Sequence, residues 1–143
     1  MNRYVLDNSV SMRWLLSSQK QTDQAYAEKV LQSLDDAVAV VPHLWHLEAA
    51  NVLLGAERRG DLEIAEVERF IGQLECLPIQ LDPLTAHQAF SRTLTLSRAY
   101  KLSSYDAAYL ELAIRENLPL ATLDKDLKRA AKQANVTLYL LIE

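Results

Sequence analysis

Asp7, Glu48, Asp106 and Asp124 are carboxylates placed where the local pattern of this chain has least use for them. Asp7 ends the apolar run Tyr4-Val5-Leu6, and Asp124 follows Leu120-Ala121-Thr122-Leu123. Glu48 and Asp106 interrupt helix-like stretches, 44–58 and 104–117, whose other positions are mostly apolar. Taking an ionised carboxylate out of water costs several kcal/mol unless a cation meets it. Acids far apart in sequence yet all near element ends point to one shared partner, a divalent cation. An all-oxygen acidic site suits Mg²⁺ or Mn²⁺, hard ions that keep several waters and bind through few carboxylates. The natural chemistry is phosphodiester hydrolysis: bound metal acidifies a water, aligns it with phosphorus and neutralises the leaving oxygen. No side chain need act as a nucleophile.

Each acid also has a plainer reading. Asp7-Asn8-Ser9 reads equally as a turn and helix cap, since all three types satisfy free helix N–H groups. Glu48 shares a helical face with Leu44, Asn51 and Gly55, flanked by Trp45, Leu47, Val52 and Leu54, where a solvent-facing Glu is unexpected. Its plain alternative is an ion pair with a distant Arg. Asp106 shares a face with Tyr109, Leu110 and Ala113 and is expected to point inward. Glu111 and Arg115 read as an i,i+4 surface pair. A favourable place near the helix start is the alternative for Asp106, although Ser103 and Ser104 are already available as caps. Asp126 is assigned mainly to capping the helix that follows it, with a supporting place in the acidic set. Asp124, nearer the strand end, is the better ligand. The hydroxyls of Ser9 and Thr122 are supporting candidates that would hold a water or orient a carboxylate.

The elements that must position these groups alternate. Strand-length runs with β-branched residues cover 3–6, 37–41, 79–81, 120–123 and 137–141. Helix-length segments cover 11–16, 21–34, 44–59, 62–77, 84–98, 104–117 and 126–134. Pro42 and Pro83 stop strands before helices, and Gly60-Asp61 breaks one helix and offers an N-cap to the next. Such alternation implies right-handed β-α-β units. The expected fold is a single α/β domain over 1–143, a three-layer α/β/α sandwich around a mostly parallel sheet of about five strands. Ligands of such sheets bind beyond the carboxyl ends of the strands. Asp7 and Asp124 fall at strand ends, and Glu48 and Asp106 lie early in helices along the same edge, so convergence is predicted.

Composition sets outer bounds. The chain has 143 residues, 50% hydrophobic and 24% charged, with a formal net charge of −4. No apolar run approaches the roughly 20 residues of a membrane span, and the segment Met1–Asp7 lacks a signal peptide's apolar core, so a cytoplasmic protein is expected. The acidic balance argues against a tight, sequence-independent nucleic-acid binder but not against an enzyme that meets phosphates through metal. Arg58-Arg59 and the group Lys125, Lys128, Arg129 and Lys132 read first as solvated helix faces. One cysteine, Cys76, excludes an intramolecular disulfide.

Other constellations are weaker. His43 and His46 lie beside Glu48 but lack the His-Glu-x-x-His order of a zinc-protease helix. No glycine-rich nucleotide cradle and no Gly-x-Ser-x-Gly elbow is present.

Four short segments together carry a resemblance: Leu6-Asp7-Asn8-Ser9, Glu48-Ala-Ala-Asn51, Ser104-Tyr-Asp106-Ala-Ala-Tyr109 and Ala121-Thr122-Leu-Asp124. In order and across nearly the whole chain, the set resembles the PIN-domain family, and specifically its VapC-type toxin ribonucleases. That resemblance implies a metal-dependent endoribonuclease of α/β/α fold, dimeric and inhibited by a small antitoxin protein. It makes Asp7, Glu48, Asp106 and Asp124 the acidic quartet, with Asn51 and Thr122 supporting and Ser9 close to the first acid. The pair Trp14-Leu15 is read as core packing before antitoxin contact. Two rivals stand beside this reading. One is a non-catalytic interaction domain of the same fold, its acids serving caps and ion pairs. The other is a phosphatase or phosphoacceptor domain, which lacks support because the first strand carries no adjacent acidic pair.

Overall fold

Short β-branched runs, too brief for stable helices, assemble here into a parallel sheet. The computed structural model describes residues 2–17 and 20–141; Met1 of the opening segment lies outside them. Strands β1 (Asn2–Leu6), β2 (Ala37–Val41), β3 (Ile79–Leu81) and β4 (Leu120–Ala121) lie in the order β3-β2-β1-β4. Every pairing is parallel, with Val5 opposite Val40 on one side and Leu120 on the other. Successive strand residues face opposite sides of a sheet, yet Tyr4, Val5 and Leu6 are all fully buried. Both faces are therefore covered, as a parallel sheet requires.

The covering helices are α1 (Asn8–Ser11), α2 (Gln21–Ser33), α3 (Leu44–Arg58), α4 (Ile64–Glu75), α5 (Thr85–Gln88), α6 (Leu94–Tyr100), α7 (Ser104–Glu116) and α8 (Lys125–Gln133). A 3₁₀ turn over Met12–Trp14 follows α1. The main core joins the strands to Tyr26 and Val30 of α2, Tyr109 and Leu112 of α7 and Leu127 of α8. Each such large apolar side chain contributes about 1.5–3 kcal/mol by leaving water. A second cluster locks Met12 to Leu53 of α3 and to Val67 and Phe70 of α4. Trp14 is half-buried and donates its indole N–H to the Ala27 carbonyl at 2.8 Å, which favours the packing role expected for it. No helix among the described residues is long and apolar enough to cross a membrane.

Among the described residues the sheet has four strands rather than five. The segment expected at 137–141 contributes one bridge, Leu138 beside Leu120, with hydrogen bonds from Leu120 N to Thr137 O and from Tyr139 N to Leu120 O. Leu140 then takes φ 55°, a left-handed conformation that no extended strand contains. Other boundaries shift for local reasons. The helix expected over 84–98 is broken by a π segment, Ala89–Thr93, between α5 and α6. Helix α4 starts at Ile64, where the Glu63 N–H donates to Glu66 Oε1 at 3.2 Å as in a capping box. Asp61 instead pairs with Arg59 at 3.0 Å.

The surface reading of Glu111 is overturned. Its side chain is 2% exposed, and both its oxygens accept from Arg115 Nε at 2.9 and 3.0 Å. The same guanidinium makes two further bonds to the buried Asp82 carboxylate at 2.6 and 3.1 Å. Helix α7 is packed on most of its circumference, with every residue from Ala107 to Ala113 buried. An i,i+4 charge pair alone does not reveal that.

A carboxylate-lined cleft at the reversal of strand order

After β1 the chain adds β2 and β3 outward on one side, then returns to place β4 on the other. Segments leaving β1 and β4 diverge at that reversal and leave a crevice beyond the strand ends. Asp7 follows β1 there, and Asp124 follows β4. Glu48 projects from the first part of α3 and Asp106 from the first turn of α7. All four line one cleft of about 240 Å³, together with Asn8, Ser9, Met12, Arg13 and Val52. A larger hollow of about 470 Å³ lies elsewhere, between α3, α4 and β3, and is mainly apolar.

Asp7 is 5% exposed, and although it occupies the N-cap position of α1 its side chain makes no capping bond. Its Oδ2 accepts from Ser9 Oγ at 2.6 Å and from Thr122 Oγ1 at 2.7 Å. Those hydroxyls are themselves oriented by backbone N–H groups, Leu123 onto Ser9 at 2.9 Å and Asp124 onto Thr122 at 3.1 Å. A hydroxyl whose oxygen accepts from the main chain turns its proton toward the carboxylate. The β4–α8 connection thus fixes the aspartate that ends β1.

Glu48 is half-buried and accepts from the Tyr109 hydroxyl at 2.5 Å. Asp106 leaves the capping of α7 to Ser103, whose Oγ accepts from the Asp106 N–H at 3.1 Å. Asp124 does cap its helix, Oδ2 accepting from the Leu127 N–H at 2.9 Å. The cap expected of Asp126 thus falls to Asp124, which also lines the cleft. Asp126 is exposed and pairs with Arg129 at 2.9 Å, away from the cleft lining. The residue immediately before the first turn has the extended backbone of a cap (φ −74°, ψ 127°), and here that residue is Asp124. Asn51 is exposed on α3 and does not line the cleft. Thr122 supports Asp7 from behind.

Among the described residues none of the four acids forms an ion pair. Their charges are accordingly hard to sustain. Burial pushes Asp7 up to about 6, against the pull of Ser9 and Thr122, and repulsion from Glu48 and Asp124 adds to it. Burial also lifts Asp106 to about 6, reinforced by Asp124, Asp7 and Asp126. Glu48 rises through burial and the nearness of Asp106, opposed by the Tyr109 hydrogen bond.

A cleft of unpaired oxygen donors suits a hard divalent cation. No three His, Cys, Asp or Glu side chains among the described residues are gathered into a ready-made metal cluster. The donor set therefore fits an ion that keeps water ligands better than one caged by protein. The histidines are not part of it. His43 precedes α3, and His46 packs edge-on against Trp45.

Sequence reasoning did not assign Asn8, Met12 or Arg13 to the lining, and it missed one bond. Asn8 and Arg13 carried no spacing signal. Tyr109 was placed on the Asp106 face by its i+3 spacing, but its hydroxyl could reach Glu48 only through the packing of α7 near α3.

Comparison with known proteins agrees with this architecture. The likeness to the solved structures is one of fold. The chain is similar to PAE2754 from Pyrobaculum aerophilum, with TM-score 0.65 and 23% identity over 90% of this chain and 86% of that one. It is similar to a toxin–antitoxin complex from Klebsiella pneumoniae, with TM-score 0.60 and 19% identity over 86% of this chain and 88% of that one. VapBC2 from Rickettsia felis, bound to a promoter DNA fragment, gives TM-score 0.61 and 15% identity over 95% and 96%. No curated protein matches the sequence. The PIN domain family matches residues 4–133, a span that begins in β1, ends with α8 and takes in every acid of the cleft, and the chain belongs to that family.

Proposed function

We propose that this PIN domain is a divalent-metal-dependent endoribonuclease of the VapC toxin type. The observation that carries the reading is the cleft at the strand-order reversal, lined by four carboxylates with no cationic partner among the described residues. Asp7, Glu48, Asp106 and Asp124 would hold Mg²⁺ or Mn²⁺. When bound, the metal supplies an acidified water and neutralises charge that develops on the phosphate.

This chain's own residues do the positioning. Ser9 and Thr122 hold Asp7 Oδ2 in one orientation. Tyr109 holds Glu48. Asp124 is tethered through the first turn of α8, and Asp106 rides on the first turn of α7. Carboxylates fixed before binding need little reorganisation when charge builds up on the substrate.

The similarity to structures described as toxin–antitoxin complexes supports assigning a small antitoxin protein as partner. A homodimer is the assembly we assign. The rival reading, acids kept for capping and ion pairing, is favoured at Asp124 alone, which does cap α8.

The test is cleavage of RNA by purified Asp7→Asn and Asp106→Asn proteins, with Mn²⁺-dependent thermal stabilisation followed alongside. Both variants should lose cleavage and most of the stabilisation while staying folded. Full cleavage by both, or no rise in melting temperature of the parent with Mn²⁺, would refute the assignment.

A further inference from the structure

The cleft wall contains one basic side chain among its acids, Arg13 of the 3₁₀ turn after α1. It is half-buried. Arg59, Arg115 and Arg129 are all engaged with carboxylates. Arg13 forms no ion pair and no side-chain hydrogen bond among the described residues, although Asp7, Glu48, Asp106 and Asp124 share its cleft. Its carbonyl oxygen accepts from Gln24 Nε2 at 3.0 Å. That bond pins the backbone of the turn, while the guanidinium has no partner among the described residues. Met12, its neighbour, is anchored in the second core cluster, so the turn is a fixed platform.

A guanidinium offers five donors in a planar fork that matches a phosphate. A neutraliser of the acids would sit in an ion pair with at least one of them, and Arg13 does not. An incoming RNA strand meets a cleft of like charge, so a cation at the wall has a clear electrostatic task. Resting on the ribonuclease reading above, we infer that Arg13 grips a phosphate of the RNA strand and seats it against the acidic cleft.

The experiment uses a labelled single-stranded RNA of mixed sequence and the Asp106→Asn protein with Mg²⁺ present, comparing Arg13 with Arg13→Ala, Arg13→Gln and Arg13→Lys. Anisotropy gives affinity across a salt series. Removing one phosphate contact should weaken binding about tenfold and reduce the slope of log K against log salt by about 0.7. Lys should restore the slope and part of the affinity, because it keeps the charge without the fork. Gln serves as a second probe of similar length, and melting temperatures should stay within a few degrees because no intramolecular bond is lost. Unchanged affinity in Ala and Gln, or weaker binding with an unchanged slope, overturns the inference. Full RNA cleavage by both Asp106→Asn and Asp7→Asn would instead overturn the reading on which this contact rests, while the salt slope still decides for or against Arg13.

Discussion

The hydroxyl of Tyr109 donates to Glu48 Oε1 at 2.5 Å across a sequence separation of 61 residues. It is the bond that ties the α7 wall of the cleft to the α3 wall. Tyr109 is fully buried, and burial together with the facing acids Asp7 and Glu48 holds its hydroxyl protonated far above the usual range. The group is therefore a committed donor.

Tyr109→Phe keeps the ring's packing and deletes only that donor. A hydrogen bond to a charged group contributes about 1.5–3 kcal/mol, so the melting temperature should fall by several degrees. Glu48 loses its anchor at the same time, and RNA cleavage should drop at least about tenfold, with a higher Mn²⁺ demand. In a Glu48→Gln background the same substitution should add little to the loss of cleavage. Calorimetric Mn²⁺ titration of the four proteins checks this. Additive effects would show that Tyr109 acts on something other than Glu48.

A pH dependence follows from Asp7. Its folded value, about 6, lies above the ordinary 3.8, so between those limits the folded protein keeps a proton that the unfolded chain has released. The stabilisation this gives is full below about pH 4 and is lost as pH rises through 6, about 3 kcal/mol at most for this one group. Asp7→Asn cannot ionise. Without metal it should be more stable than the parent at pH 7.5 and show no such advantage at pH 4. Mn²⁺ competes with that proton, so it should raise the parent's melting temperature more at pH 7.5 than at pH 5.5. Parallel stability profiles for parent and variant would count against the buried, unpaired state of Asp7.

Arg115 joins Glu111 of α7 to Asp82, just beyond β3. Asp82 and Glu111 have side chains only 4% and 2% exposed. Arg115→Ala strands both carboxylates in the interior and should cost about 3–5 kcal/mol, read by urea unfolding. Asp82→Asn should cost less, since the amide still accepts from the guanidinium. A loss under about 1 kcal/mol for Arg115→Ala would mean that water reaches the network.

These contrasts explain what the sequence made legible. Strand–helix alternation is a local signal, and it located β1 to β4 and the edge where Asp7 and Asp124 lie. The four acids stood out because each breaks an apolar run, which is also local. Glu111 looked no different from a surface residue because its partner Arg115 also binds Asp82, which lies 29 positions before Glu111 and just beyond β3. The fifth strand failed at Leu140, whose left-handed backbone nothing in a β-branched run announces. Arg13 and the Tyr109 hydroxyl became relevant only once α1, α3 and α7 met.

Asp124 has two duties that one pair of substitutions separates. Its Oδ2 accepts the Leu127 N–H and caps α8, while its carboxylate lines the cleft with Asp7 and Asp106. Asn is as good a cap as Asp because its amide oxygen accepts the same bond, but it brings no charge to a cation. Asp124→Asn should therefore leave the melting temperature of the metal-free protein nearly unchanged or slightly raised, since it also removes one repulsion on Asp106. RNA cleavage should nonetheless fall steeply. Asp124→Ala loses the cap as well and should be about 1 kcal/mol less stable than Asp124→Asn, with no further loss of cleavage. If Asn sustained full cleavage while Ala lost it, capping would be the sole duty of Asp124, and the acidic set would shrink to Asp7, Glu48 and Asp106.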